Sequence, residues 1–356
     1  ESIYEPTFCN ASHGFRPKRS CHTALQHIKR NYTGVKWFVE GDIKGCFDNI
    51  DHHVLVQILR RRITDEHFIG LIWKFLKAGY MENWVYHNTY SGTPQGSLIS
   101  PILANIYLNE LDVFMVSYAQ TFNRGAKRQI NPAYKKPLDV RRGKQEWLKR
   151  NENKISEEKR REVTAQIQEI NQYLRTIPYG DPMDNEYRRI VYVRYADDFL
   201  IGVIGSKADA KQIKADVGMF ISNELHLEMS SEKTLITHGN DFAHFLGYEI
   251  TASSEQNSTR MKTRYTKRSY TGRIKLYVPK EKWLNRLLSY GALKINLVEG
   301  KEVWEPTRRP GLMRLDDIEI LNQYNAEVRG LYNYYRLAHN VSVLNSFLYV
   351  MKFSMY

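Results

Sequence analysis

Ten residues, VRYADDFLIG from Val193 to Gly202, constrain this chain more than any other stretch. Their β-branched and aromatic side chains have the composition of a buried strand, yet two aspartates stand side by side in the middle. Adjacent carboxylates packed into an apolar sheet lose hydration and repel each other, so the pair needs either a turn open to water or something that neutralises it. Taken alone, a solvent-facing hairpin turn is the commoner use of aspartate. The surrounding sequence must decide between the two.

Upstream, WFVEGDI from Trp37 to Ile43 reads as a second buried strand, with Asp42 at its end. The run DHHVLVQILRRRI then has helical periodicity with Asp51 as N-cap, and TDEHFIGLIWKFLKAG reads as another helix begun by Thr64 and ended near Gly79. WVYHNTYSGTPQGSLISP suggests a hairpin running into a loop, after which Ser100 caps a long apolar helix that Pro101 opens. Downstream of the aspartates, Ser206 caps a helix with Ile213, Val217, Phe220, Ile221 and Leu225 on one face. DFAHFLGYEIT and GRIKLYVP read as strands, and everything beyond Pro279 reads as helical.

Between these parts, residues from about 119 to 189 turn basic and polar. A solvated helical hairpin accounts for that composition, and an insertion that contacts RNA is the sharper alternative. Strands flanked by helices, followed by an all-helical end, predict an α+β body with a helical appendage.

Composition narrows the partner. The 356 residues carry 52 Lys and Arg against 39 Asp and Glu, a formal charge of +13, which favours a polyanion such as nucleic acid. Three cysteines (Cys9, Cys21, Cys46) are too few for a disulfide framework and suit a reducing interior. His13 and His22 lie near two of them, but the spacing matches no common zinc module. No apolar run of about 18 residues exists, so no membrane span is expected. An opening without methionine predicts a fragment or a processed product.

If the strands ending at Asp42 and flanking Asp197-Asp198 are neighbours, three carboxylates converge. Oxygen-only sites of this kind suit hard divalent cations, above all Mg2+. Two such ions about 3.5 to 4 Å apart activate a 3′-hydroxyl and stabilise a leaving pyrophosphate, so phosphoryl transfer is the implied reaction.

YADD in a hairpin, with EGDIKGCFDNIDH before it, GTPQGSLISPILANIYLNELD between and FLGYEI after, resembles the palm of a reverse transcriptase of the group II intron-encoded type. HGFRPKRSCHTAL resembles the fingers of that family and YNAEVRGLYNYYRLAHN its thumb, or maturase, region. The resemblance implies a right-hand polymerase: fingers and palm over 1–278, with an antiparallel palm sheet and the basic insertion, and a thumb/maturase region over 279–356. Set against that family, the most N-terminal fingers segment is expected to be missing before Glu1 and no nuclease or DNA-binding extension is expected after Tyr356, so the isolated chain is expected to bind RNA yet polymerise poorly.

Residue by residue, the resemblance implies that Asp42 and Asp197 ligate two Mg2+ ions, which Mn2+ can replace, with Asp198 and the carbonyl of Ile43 completing the site. Phe47 matches a ring that excludes a 2′-hydroxyl; the backbone N–H groups of Gly45 and Cys46 would meet the triphosphate, Gln95 would touch the nucleotide near its 3′-hydroxyl, and Lys233 the leaving phosphates. Arg16 is a candidate for holding template or nucleotide phosphate. Leu246, Gly247 and Tyr248 match the turn that grips the primer, and Arg329, Tyr332, Tyr334, Tyr335 and Arg336 a face for duplex and intron RNA. The implied partners are group II intron RNA, an RNA template with DNA primer, and deoxynucleoside triphosphates, without a membrane, in a bacterial cytoplasm or an organelle. A homodimer is compatible with the sequence. The rival is a non-catalytic RNA-binding maturase that keeps the fold, against which the intact acidic triad argues.

Overall fold

A computed structural model describes residues 1–82, 84–87, 91–93, 98–152, 154–181, 184–253, 258–260, 266–268 and 272–356. Helix α1 (Cys21–Asn31) leads to strand β1 (Trp37–Gly41), then α2 (Cys46–Asn49), α3 (His52–Arg60), α4 (Glu66–Lys77) and the hairpin β2 (Tyr80–Glu82) with β3 (Val85–His87). Three helices follow: α5 (Ser100–Phe122), α6 (Pro132–Arg150) and α7 (Glu157–Thr176). Next come β4 (Arg189–Tyr195), β5 (Asp198–Ile204), α8 (Lys207–Leu225), β6 (Ile236–His238), β7 (Ala243–Phe245) and β8 (Tyr248–Ser253). The remainder is β9 (Ser258–Arg260), β10 (Thr266–Arg268), β11 (Arg273–Tyr277), α9 (Lys280–Ser289), β12 (Leu293–Val298), β13 (Lys301–Pro306), α10 (Asp317–Tyr335) and α11 (Leu344–Met355).

The arrangement is α+β, as expected. A four-stranded antiparallel sheet runs β4-β5-β1-β6, and a second sheet, β11-β8-β7, packs against it through β7. Because side chains alternate along a strand, β1 feeds both cores. Val39 packs with α3, α5 and α8 through Leu55, Leu108 and Val217, whereas Phe38 packs on the other side with α1, the second sheet and the C-terminal helices through Leu25, Ile250 and Phe347.

Local chemistry explains most boundaries. Asp51 caps α3 by accepting from the N–H groups of His53 and Val54, and Ser206 forms a capping box with Asp209 at the start of α8, both as expected. On α8, Ile213, Val217, Ile221 and Leu225 are buried, while the half-buried Phe220 stacks on Phe114 at 4.2 Å between ring centroids. Residues 132–176 form the expected helical hairpin.

Three expectations need correction. Asp65, not Thr64, caps α4, because its carboxylate reaches the N–H groups of His67 and Phe68. Ile99 occupies the cap position of α5, which makes Ser100 its first helical residue. The region beyond Pro279 is not helical throughout: α9 ends at Ser289, and β12 pairs with β13 around Glu299 and Gly300, both at positive φ. Alternating side chains on either side of that two-residue turn favour a hairpin.

Candidate active site

The registers of the main sheet set two aspartates against each other. β1 and β5 pair antiparallel up to Gly41 opposite Phe199, and one further step along the same register places Asp42 opposite Asp198. β4 and β5 close at Tyr195 opposite Asp198, leaving Ala196 and Asp197 as the two turn residues. Ala196 adopts φ 56°, a conformation that favours glycine or asparagine, so packing must hold this turn.

Most of that hold comes from a residue the sequence reading missed. Arg194 is fully buried and spends all five of its donors: on both oxygens of Asp112 (2.8 and 2.6 Å), on Asn105 Oδ1 (3.2 Å), on Ser12 Oγ (2.9 Å) and on the carbonyl of Ala196 in the turn (2.8 Å). Asn105 in turn donates to the carbonyl of Gly14. A Cβ at Gly14 would lie 2.3 Å from the nitrogen of Ala196, so only glycine fits against the turn. The alternation of β4 puts Arg194 on an inward face, and a buried arginine needs a carboxylate. That was a readable signal, although nothing local names Asp112.

Three carboxylates meeting here carry an electrostatic cost. Burial and then the charges of Asp197 and Asp42 push the Asp198 carboxyl up to about 7, and Asp42 hydrogen-bonds to it. Asp197 is also raised, mainly by burial. The Lys233 ammonium lies 3.0 Å from Asp42 with its side chain 71% exposed, so it offsets charge while staying free to swing. Burial, aided by Asp197 and Asp42, lifts the Cys46 thiol to about 12, which makes it a packing group and not a nucleophile.

Asp42 to Lys44 is pinned from the far side. The carbonyl of Asp42 accepts from Ser230 N–H (2.9 Å), Ile43 bridges to Met229, and Lys44 N–H donates to Glu228 (2.9 Å). Gly45 follows at φ 54° and caps α2, on which Cys46 is buried and Phe47 half-buried, its ring edge-on to Phe15 at 6.2 Å. The carbonyl of Phe47 accepts from Thr93 N–H (2.6 Å), and His52 donates to the carbonyl of Gly92 (2.6 Å). These bonds tie the loop that leads toward Gln95 to α2 and α3; Gln95 itself lies outside the described residues.

Arg16 departs from expectation. Its side chain is buried, and its donors go to the Glu5 carboxylate and to the carbonyls of Cys9 and Ser12, so none is left for a phosphate. The cysteine–histidine group near the N-terminus assembles no metal site: His13 bonds Thr23. Asp42, Asp197 and Asp198 act on one another electrostatically, yet among the described residues no three His, Cys, Asp or Glu side chains are gathered closely enough to hold a metal ion as they stand.

A cavity of about 920 Å³ opens in front of the carboxylates, lined by Asp42, Asp198, Lys233, Leu246, Gly247 and Lys282 among others. Leu246 and Gly247, at φ 48° and 69°, form the two-residue turn between β7 and β8. The Tyr334 hydroxyl donates to the carbonyl of Leu246 (2.7 Å), the Tyr335 hydroxyl to that of Gly247 (3.1 Å), and Tyr248 to the carbonyl of Tyr334. Helix α10 thus clamps the turn. Of the other expected residues in this region, Arg329, Tyr332 and Arg336 are exposed.

Glu40 is a second residue the sequence reading missed. Buried on β1 two positions before Asp42, it accepts from the N–H of His244 on β7 (2.8 Å) and from the Thr237 hydroxyl. Among the described residues it has no cationic partner. This carboxylate cross-links the strand that carries Asp42 to the strand that leads into the Leu246–Gly247 turn.

Residues 1–121 match the model for "Reverse transcriptase (RNA-dependent DNA polymerase)", which takes in Asp42 but ends before the tandem aspartates, and residues 271–356 match "Type II intron maturase". The chain is 45% identical over 354 residues to the group II intron-encoded protein LtrA of Lactococcus lactis subsp. cremoris, covering 99% of this chain and 57% of that protein. It is 36% identical to the putative COX1/OXI3 intron 1 protein of Saccharomyces cerevisiae, covering 98% of this chain and 40% of that one. The chain therefore spans about half the length of these relatives. Among solved structures, telomerase from Candida albicans in complex with a TWJ fragment of telomeric RNA aligns over 97% of this chain and 49% of its own, with 10% identity and a TM-score of 0.41.

Proposed function

Because this chain belongs to the group II intron-encoded reverse transcriptase and maturase family, we propose that it copies RNA into DNA and binds group II intron RNA to assist splicing and mobility. The observation that carries the reading is Asp42 standing opposite Asp198, beside Asp197, at the mouth of a large cavity.

The donor chemistry fits magnesium, although the three side chains are not gathered as a ready ligand set in this structure. All three side chains offer hard oxygen, and burial first, with repulsion among the carboxylates adding to it, raises Asp198 and Asp197, a cost that a bound cation would relieve. Asp42 and Asp197 would hold two Mg2+ ions with Asp198 and the Ile43 carbonyl assisting, and Mn2+ would substitute. When bound, such ions would supply Lewis-acid activation of a primer 3′-hydroxyl and charge stabilisation for a departing pyrophosphate.

The chain's own groups do the rest. Leu246, Gly247 and Tyr248, held by α10, would grip the primer end. Gly45 and Cys46 would offer backbone N–H groups to the triphosphate, and the ring of Phe47 would exclude a 2′-hydroxyl. Lys233 would leave Asp42 for the leaving phosphates once cations occupy the carboxylates. Gln95 would touch the nucleotide near its 3′-hydroxyl, and Arg329, Tyr332, Tyr335 and Arg336 would serve duplex and intron RNA. The division into fingers and palm over 1–278 and thumb over 279–356 is part of the same reading. No described helix is long and apolar enough to cross a membrane. A bacterial cytoplasm or organelle is the proposed setting.

The test is extension of a labelled DNA primer on an RNA template with deoxynucleotides. Extension should require Mg2+ or Mn2+, stop with EDTA and be weak with ribonucleotides. A protein that binds intron RNA and promotes splicing but never extends the primer would overturn the polymerase half.

A further inference from the structure

The hairpin of α6 and α7 takes no part in the site above, yet it holds a disproportionate share of the charge. Residues 121–189 contain 17 Lys and Arg against 10 Asp and Glu, which is 7 of the chain's 13 excess positive charges in about a fifth of its length. The excess is also one-sided. Helix α6 carries seven basic and two acidic residues, whereas α7 carries four of each.

On α6, Arg141 and Lys144 turn toward α7 and bond to neutral Asn171 and Gln166. Outward, Lys135, Lys136 and Lys149 are exposed and have no ion-pair partner among the described residues. Arg142 and Arg150 face Asp139 and Glu146 at 3.8 and 3.7 Å, loose and solvent-exposed pairs that a phosphate displaces readily.

Lys136, Gly143 and Arg150 recur every seventh residue, so they line up within about 40° on the helix, and Trp147, 40% exposed, lies beside them. Glycine inside a helix is destabilising relative to alanine, and one use that offsets this cost is close approach of a partner to the backbone. A Cβ at Gly143 would meet nothing within 4 Å, so no packing inside this chain requires the glycine.

The hairpin is firmly mounted, and far from the carboxylates. Its base is laddered through Arg124–Arg188 and Ile130–Gly180, and Arg128 donates to the carbonyl of Gly34 (3.2 Å) while stacking on Tyr187. That base joins β4 at Arg189, the opposite end from Tyr195 and the aspartate turn, roughly 20 Å away along a seven-residue strand.

We propose that the outer face of α6, centred on Lys136, Arg142, Gly143, Trp147 and Arg150, docks the phosphate backbone of structured RNA outside the copying cleft. It is a surface for the RNA the protein carries, distinct from the strand it copies. The proposal rests on the reading above for the identity of that RNA. Fixed cations supply the affinity, Gly143 lets a sugar–phosphate chain lie against the helix, and Trp147 offers a stacking plane.

The test compares wild type with a Lys136→Gln/Arg142→Gln/Arg150→Gln variant and with Gly143→Leu. Each is assayed for binding to a group II intron transcript across a salt series and for extension of a short primer on an RNA template. The triple variant should lose on the order of tenfold in intron RNA affinity, with its salt slope lower by about three. Gly143→Leu should also weaken RNA binding while melting no earlier than wild type, since leucine is the better helix former. Extension should be unchanged in both.

Unchanged affinity and slope in the triple variant would overturn the inference, as would a parallel loss of extension, which would put the surface in the cleft. A larger loss of binding to phosphatidylserine vesicles than to RNA would reassign the face to a membrane. If wild type itself does not bind the intron transcript, the parent reading fails instead.

Discussion

Arg194 and Asp112 form a two-pronged ion pair, at 2.8 and 2.6 Å, in which neither side chain is exposed. One more donor of the same guanidinium reaches the carbonyl of Ala196, so the buried pair holds the turn that presents Asp197. Removing one partner strands the other: Asp112→Leu should cost about 3–5 kcal/mol of stability. Arg194→Met with Asp112→Leu should recover much of that loss in urea denaturation. The double variant should still extend primers slowly, because the turn is no longer tied; wild-type extension would show that Arg194 serves stability alone.

Glu40 predicts a different signature. Glu40→Ala cuts the link between β1 and the Leu246–Gly247 turn, so the KM for primer–template should rise while the KM for the deoxynucleotide stays near wild type. Glu40→Gln keeps an acceptor for the His244 N–H and should restore most of the loss. Equal damage to both constants in both variants would indicate general disruption.

On the proposed reading, Phe47 would govern sugar choice. Phe47→Ala should raise ribonucleotide incorporation relative to deoxynucleotide by roughly tenfold or more, as expected when a shaped contact is removed. The measurement is kcat/KM for each nucleotide on one template; an unchanged ratio would leave Phe47 as a packing residue.

His13 sets an acid limit. Burial first, with Arg19, His27 and Arg16 adding to it, lowers its pKa from 6.5 to about 4. The unfolded chain takes up this proton at a higher pH than the folded one. The contribution is therefore intact above about pH 6.5 and is lost as pH falls toward 4. Thermal unfolding of wild type should drop across that window, and a His13→Gln variant should drop less.

Much of this was legible in the sequence, for reasons that are local. The strands of VRYADDFLIG and WFVEGDI, the caps at Asp51 and Ser206 and the periodicity of α8 each depend on residues a few positions apart. What escaped depends on partners that are far away: Asp112 lies 82 residues before Arg194, and His244 lies 204 after Glu40. Arg16 was misassigned because a positive charge in GFRP names no partner, whereas Glu5 occupies it in the fold. The β12–β13 hairpin is the opposite case. The alternation of KINLV and KEVWE about Glu299 and Gly300 was there to be read, but helices on both sides masked it.

The most direct measurement is single-turnover incorporation of one deoxynucleotide into a primer on an RNA template, comparing wild type with Asp197→Asn alongside primer–template affinity. The account predicts that incorporation falls by several orders of magnitude while binding is retained, since on the proposed reading the carboxylate would hold metal and not the duplex. An Asp197→Asn protein that incorporates at the wild-type rate would contradict it.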